Sequence, residues 1–139
     1  MARRGPALGL DLGDVRIGVA VSDDEGRLAV PVGTIRTGPP EDLRAVARLV
    51  AEHGATLVVV GHPVGMSGRP GARAHHAERF AEALRAVLDV PVVLQDERLS
   101  TAEADRALRA AGARGRDRRR ARDASAAAVI LQAYLDRRR

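Results

Sequence analysis

Three acidic positions in this 139-residue chain are poorly explained as ordinary packing. Asp11 sits inside the apolar run ALGLDLG (7–13). Burying an unpaired carboxylate costs several kcal/mol, so Asp11 calls for a cationic partner or a metal ion. Asp96 and Glu97 end the apolar run PVVLQDE (91–97). The carboxyl end of a buried strand is where open α/β sheets place their sites. Asp123 shares a helical face with Ala127, Ile130 and Tyr134, which turns it inward. Carboxylates gathered from distant parts of a chain are what Mg2+ or Mn2+ requires. Two such ions roughly 4 Å apart activate a water and stabilise the leaving oxygen in phosphodiester cleavage.

Each acid also has a plainer reading. Asp11 reads alternatively as a salt-bridge partner, and Asp123 equally well as a helix N-cap. Asp96 reads more readily as a strand-end partner of Arg98 than as a metal ligand. No histidine needs to take part, since His62, His75 and His76 lie on or beside the Gly- and Pro-rich stretch 62–71 and read as surface residues. Arg98 suits either a phosphate contact or a nearby acid. Arg114, Arg116, Arg118, Arg119, Arg120 and Arg122 suit contact with a nucleic-acid backbone. The only aromatic side chains are Phe80 and Tyr134, which leaves little basis for reading single strands by stacking.

The elements that must position these groups follow from periodicity. In residues 7–12, Leu8, Leu10 and Leu12 share one strand face, with Ala7, Gly9 and Asp11 on the other. The strand at 16–22 repeats this, with Ile17, Val19 and Val21 opposite Gly18, Ala20 and Ser22. The small-residue face lets an alanine-rich helix approach closely and bring Asp123 to Asp11. Gly13-Asp14 suits a tight hairpin turn, and residues 23–26 form a second turn. Pro31 places a third strand, 28–36, at a sheet edge. Pro39-Pro40 opens a helix with Leu43, Val46, Ala47 and Val50 on one face, ended by Gly54. Residues 56–61 read as a buried strand. A second helix carries its stripe at Ala77, Phe80, Ala81, Leu84, Val87 and Leu88, before the buried strand at 91–97. Ser100 and Glu103 make a capping box for a third helix running to Gly112. An arginine-rich loop (113–122) precedes a final helix, 123–135. The pattern is an α/β domain with a mixed sheet, spanning 1–139 without a linker or repeat.

Composition narrows the class. There is no cysteine, so any metal is held by oxygen or histidine. No apolar run approaches the roughly 20 residues that span a bilayer, and MARRGPALGL goes directly into a strand with no apolar signal-peptide core before it, which points to the cytoplasm. The net charge is +5. Residues 1–105 hold 12 Arg against 15 acids, whereas 106–139 hold 11 Arg against 3. A basic end on a slightly acidic body suggests a polyanionic partner.

Four blocks occur in a familiar order: GLDLG-x-x-RIGVAVSD (9–23), VVVGHPVGMSG (58–68), DERLST (96–101) and DASAAAVILQAYL (123–135). Together they resemble the YqgF family of pre-16S rRNA nucleases, also described as Holliday-junction-resolvase-like, over about 8–135. The resemblance implies an RNase H-like fold: a five-stranded mixed sheet, its first three strands antiparallel, flanked by about four helices. It implies Asp11, Glu97 and Asp123 as the metal-binding catalytic triad, with Mg2+ or Mn2+ as cofactor. His62 and Ser67 depart from the residues expected in the second block, which bears on substrate contacts rather than on the triad. The leading role is endonucleolytic processing near the 5′ end of pre-16S rRNA. Resolution of four-way DNA is the alternative and needs a dimer, while the chain reads as monomer or homodimer. A non-catalytic nucleic-acid-binding module is a second class. An actin-like nucleotide-binding fold ranks below both, because it needs two domains.

Overall fold

The computed structural model describes residues 5–63, 71–96 and 115–138, with side chains in the last helix from Asp123 onward. The strands are β1 (Ala7–Leu12), β2 (Arg16–Ser22), β3 (Ala29–Arg36), β4 (Leu57–His62) and β5 (Val92–Asp96). The helices are α1 (Glu41–His53), α2 (Ala72–Val87) and α3 (Gly115–Arg137). The five strands form one sheet in the order β3-β2-β1-β4-β5. β1–β2 and β2–β3 pair antiparallel, whereas β1–β4 and β4–β5 pair parallel. This is the expected mixed sheet.

Strand alternation divides the core between the two faces. Leu8, Leu10, Ile17, Val19, Val58 and Val60 pack with Val46 of α1 and with Phe80, Ala81 and Leu84 of α2. Ala7, Ala20 and Val59 turn the other way, against Ala127, Ile130, Leu131 and Leu135 of α3. Fully burying each large apolar side chain contributes about 1.5–3 kcal/mol, so the bulky face anchors the sheet while the small face sets how near α3 comes. Side-chain amides fix the register of α3. Gln132 Oε1 accepts the Ala29 N–H at 2.8 Å, and its Nε2 donates to the Arg27 carbonyl at 2.8 Å. Arg137 donates to Gln95 on β5 at 3.1 Å.

Gly54 ends α1 in the left-handed conformation, at φ +63°, and Pro31 lies on the edge strand β3, both as expected. Four expectations need correction. The Gly13 N–H donates to the Arg16 carbonyl at 2.9 Å, so the β1–β2 turn falls on Asp14-Val15 rather than Gly13-Asp14. Val87 is 57% exposed because α2 ends there, before its stripe completes another turn. The last helix begins at Gly115, not Asp123. Arginine is a good helix former, so the run expected to be a loop extends the helix instead. His62 is the last residue of β4, its side chain largely buried beside Glu78, and not a surface residue. Three helices stand among the described residues, and the helix expected over 100–112 lies outside them.

Candidate active site

Asp11 lies on the α3 side of β1, with Gly18 of β2 as its cross-strand partner. α3 passes directly over that glycine. A Cβ on Gly18 would stand 1.9 Å from the Asp123 carbonyl oxygen and 2.5 Å from its carbon. Real Cβ atoms essentially never come within 3.0 Å of such atoms, so only glycine permits this seat. The helix is thus set down with Asp123 beside Asp11. Gly9 repeats the arrangement one step down β1, where a Cβ would meet Leu131 Cβ at 2.7 Å. The small-residue face therefore acts as the sequence suggests.

Asp123 stands well inside α3, which removes the N-cap reading. Its Oδ2 accepts a hydrogen bond from Arg16 Nε at 3.1 Å, and the two side chains are 28% and 30% exposed. Arg16 is the residue that sequence reasoning missed. Its signal was available: it lies two positions before Gly18, on the same face of β2 as Asp11's partner. The hairpin tip that carries Arg16 is braced from β3's exit. Thr37 Oγ1 donates to the Gly13 carbonyl at 2.8 Å, and the Thr37 N–H donates to the Val15 carbonyl at 2.9 Å.

The structure places the other expected residues as follows. Glu97, Arg98 and Arg114 lie outside the described residues, and Arg116, Arg118, Arg119, Arg120 and Arg122 lie on α3 in its undescribed side-chain region. Asp96 ends β5. Val93 and Gln95 of that strand meet α3, whereas Val92 and Leu94 join the opposite core. Alternation therefore puts Asp96 on the face away from Asp11. Among the described residues no group of three His, Asp or Glu could hold a metal ion. Asp11 and Asp123 are hard oxygen donors of the kind Mg2+ and Mn2+ prefer. Arg16 offsets part of the charge of Asp123, and carboxylate chemistry fits such an ion.

On the other face, at the end of β4, Glu78 bridges two imidazoles. His62 Nε2 lies 2.7 Å from Oε2 and His75 Nδ1 3.2 Å from Oε1. The hydrogen bonds from His62 and His75 hold the Glu78 carboxyl below its ordinary value. A cavity of about 580 Å³ opens at the far end of the strands, beside Tyr134 and Arg138. It takes no part in the acidic site.

A family model described as "RuvX: Holliday junction resolvase" matches residues 5–137. Relatives named "Putative pre-16S rRNA nuclease" occur in Anaeromyxobacter dehalogenans and Chloroflexus aggregans. The first is 52% identical over 132 residues, covering 94% of this chain and 96% of its own. The second is 50% identical over 133 residues, covering 95% and 94%. Among solved structures, T. thermophilus RuvC in complex with a Holliday junction substrate superimposes with a TM-score of 0.59 at 18% identity, over 96% of this chain and 95% of that one. The yeast mitochondrial Holliday junction resolvase Ydc2 gives 0.51 at 10% identity, over 93% and 77%. At those identities the structural likeness speaks to the fold, which is RNase H-like as the sequence motifs implied. With a family match across nearly its whole length, this chain belongs to the RuvX family of Holliday-junction-resolvase-like proteins.

Proposed function

We propose that this chain is a cytoplasmic, single-domain, divalent-metal-dependent endonuclease whose substrate is pre-16S rRNA, with Asp11, Glu97 and Asp123 as the metal-binding acids. The nuclease reading is supported by the family match and by the names of relatives about 50% identical. The observation that favours the site is the seating of α3 on Gly18, which lays the Asp123 backbone over the cross-strand partner of Asp11. Asp96 faces away from Asp11, which favours Glu97 as the third acid.

A bound Mg2+ or Mn2+ would activate a water and offset charge on the leaving oxygen. The chain's own groups do the positioning. Arg16 holds one oxygen of Asp123 and so fixes the plane of that carboxylate. Asp11 is held by a central strand paired on both sides. Arg98, Arg114, Arg116, Arg118, Arg119, Arg120 and Arg122 supply charge for backbone phosphates. Among the described residues no helix is long and apolar enough to cross a membrane.

The test is cleavage of a labelled pre-16S leader RNA and of a four-way DNA junction with Mg2+, Mn2+ or EDTA, using wild type and Asp11→Asn. Metal-dependent cutting of RNA by wild type alone is the expected result. A second reading, resolution of DNA junctions, is favoured by the family description and the RuvC-like fold. It requires a dimer, so junction cutting together with a dimeric mass would replace the first reading. Binding by both proteins without cutting would leave a nucleic-acid-binding module.

A further inference from the structure

The connections of the sheet diverge at β1 and β4. The chain leaves β1 toward β2 on one side, and leaves β4 through α2 toward β5 on the other. Such a divergence opens a crevice at the carboxyl ends of the two strands, where open α/β sheets bind ligands. Here that crevice is a cavity of about 180 Å³. It is lined by Leu12 and Gly13, which directly follow Asp11, by Gly61 and Pro63 at the end of β4, and by Arg73 and His76 from the first turns of α2.

Among the described residues neither basic side chain has a carboxylate partner. Arg73 Nη2 donates to the Leu12 carbonyl at 3.4 Å, which aims the guanidinium at the end of β1. The fork has five N–H donors. His76 makes a ring contact with Phe80, which leaves its nitrogens uncommitted among the described residues. The volume is well below the roughly 300–1,000 Å³ of pockets for drug-sized molecules. It suits one compact group and is too small for a nucleoside. A planar donor fork beside an imidazole recognises a tetrahedral oxyanion.

We infer that this crevice binds one backbone phosphate of the nucleic acid, next to the scissile one, with Arg73 and His76 as the contacts. The identity of the ligand as nucleic acid rests on the nuclease reading; the anion site rests on the crevice itself. Asp14 lines the same cavity and opposes an anion. The inference therefore predicts opposite signs for neighbouring substitutions.

The experiment is binding of labelled leader RNA and of a four-way DNA junction to the full chain in EDTA, across a salt series. Each strand carries a neutral methylphosphonate at one phosphate at a time. Arg73→Gln is expected to weaken binding about tenfold and to lower the log–log salt slope by about 0.7–0.9, the loss of one phosphate contact. His76→Gln gives a smaller loss, and Asp14→Asn tightens binding. One methylphosphonate position weakens wild type but not Arg73→Gln, and the nucleic acid that shows this is the source of the phosphate. Melting curves check that each variant folds. A folded Arg73→Gln with unchanged affinity and slope, or with the wild-type methylphosphonate profile, overturns the inference. So does wild type that binds neither nucleic acid. If Arg73→Gln behaves as expected while wild type cuts nothing with metal, the nuclease reading fails and the phosphate site stands.

Discussion

Gly18→Ala tests the geometry on which the paired acids depend. The added Cβ lies 1.9 Å from the Asp123 oxygen, so α3 must retreat by about 1.5 Å to restore the 3.4 Å of ordinary contact. β2 cannot yield instead, because it is hydrogen-bonded to β1 and β3 on both sides. Overpacking costs typically 1–3 kcal/mol, and with backbone atoms on both sides of the clash the upper end applies, about 3 kcal/mol. That corresponds to a fall of roughly 10 °C in melting temperature for a chain of this size. The same shift carries Asp123 away from Asp11, and misplacement by about 1 Å costs on the order of 100-fold in rate. Thermal melting and Mn2+-dependent cleavage read the two effects separately. Gly9→Ala, whose Cβ would lie 2.7 Å from Leu131 Cβ, should lose about 1–2 kcal/mol and keep cleavage within a few-fold, roughly. It sits two residues from Asp11, about 7 Å along the strand. Gly71→Ala, with none of the described residues within 4 Å of its Cβ, should melt like wild type. If Gly18→Ala melts and cuts like wild type, α3 is not seated on Gly18 and the reasoning fails.

Arg16→Gln should change stability by less than about 1 kcal/mol, since its pair with Asp123 is nearly a third exposed. By removing a positive charge beside the acids it should tighten Mn2+ binding in calorimetry, and weaker binding would contradict the charge argument. Leu131→Ala empties a fully buried position under α3 and should cost about 2–5 kcal/mol, read as a lower urea midpoint with an unchanged m-value. Glu78 has its carboxyl lowered from about 4.5 by its histidine partners. Its contribution to stability is therefore present above that value and lost as pH falls through the lowered one. Wild type and Glu78→Gln should differ in melting temperature near neutral pH and converge in acid; a gap that persists in acid would count against the bridge.

Strong local periodicity made most of the fold legible. Alternation in 7–12 and 16–22 marks a bulky face and a small face, and both are used as read. Pro31 and Gly54 each have one cheap place to go, an edge and a helix end. Asp123 was legible as an inward carboxylate but not as a mid-helix residue, because helix starts lack a sharp signal where arginines continue the pattern. Arg16 was legible as sharing the small-residue face of β2, but its pairing with Asp123, 107 residues away, emerges only once the seat of α3 is known. His62 shows the same limit, since its partner Glu78 is supplied by a helix that packs on the strand from elsewhere in the chain.

The seat of α3 also has a consequence in time. A ribosome adding about 5–20 residues per second takes roughly 5–20 s to make the 107 residues between Arg16 and Asp123. During that interval the first strands can pair, but the face meant for α3 stays uncovered. Its β1 and β2 part presents Ala7, Gly9, Gly18 and Ala20, small residues that offer little for other nascent chains to grasp, which leaves the apolar part to Val59, Leu57 and Val93 of the later strands. Because Asp123 arrives only with the last helix, an incomplete polypeptide lacks one of the two acids. Any chemistry that needs both is withheld until the fold closes, a delay set by chain order with no inhibitor involved.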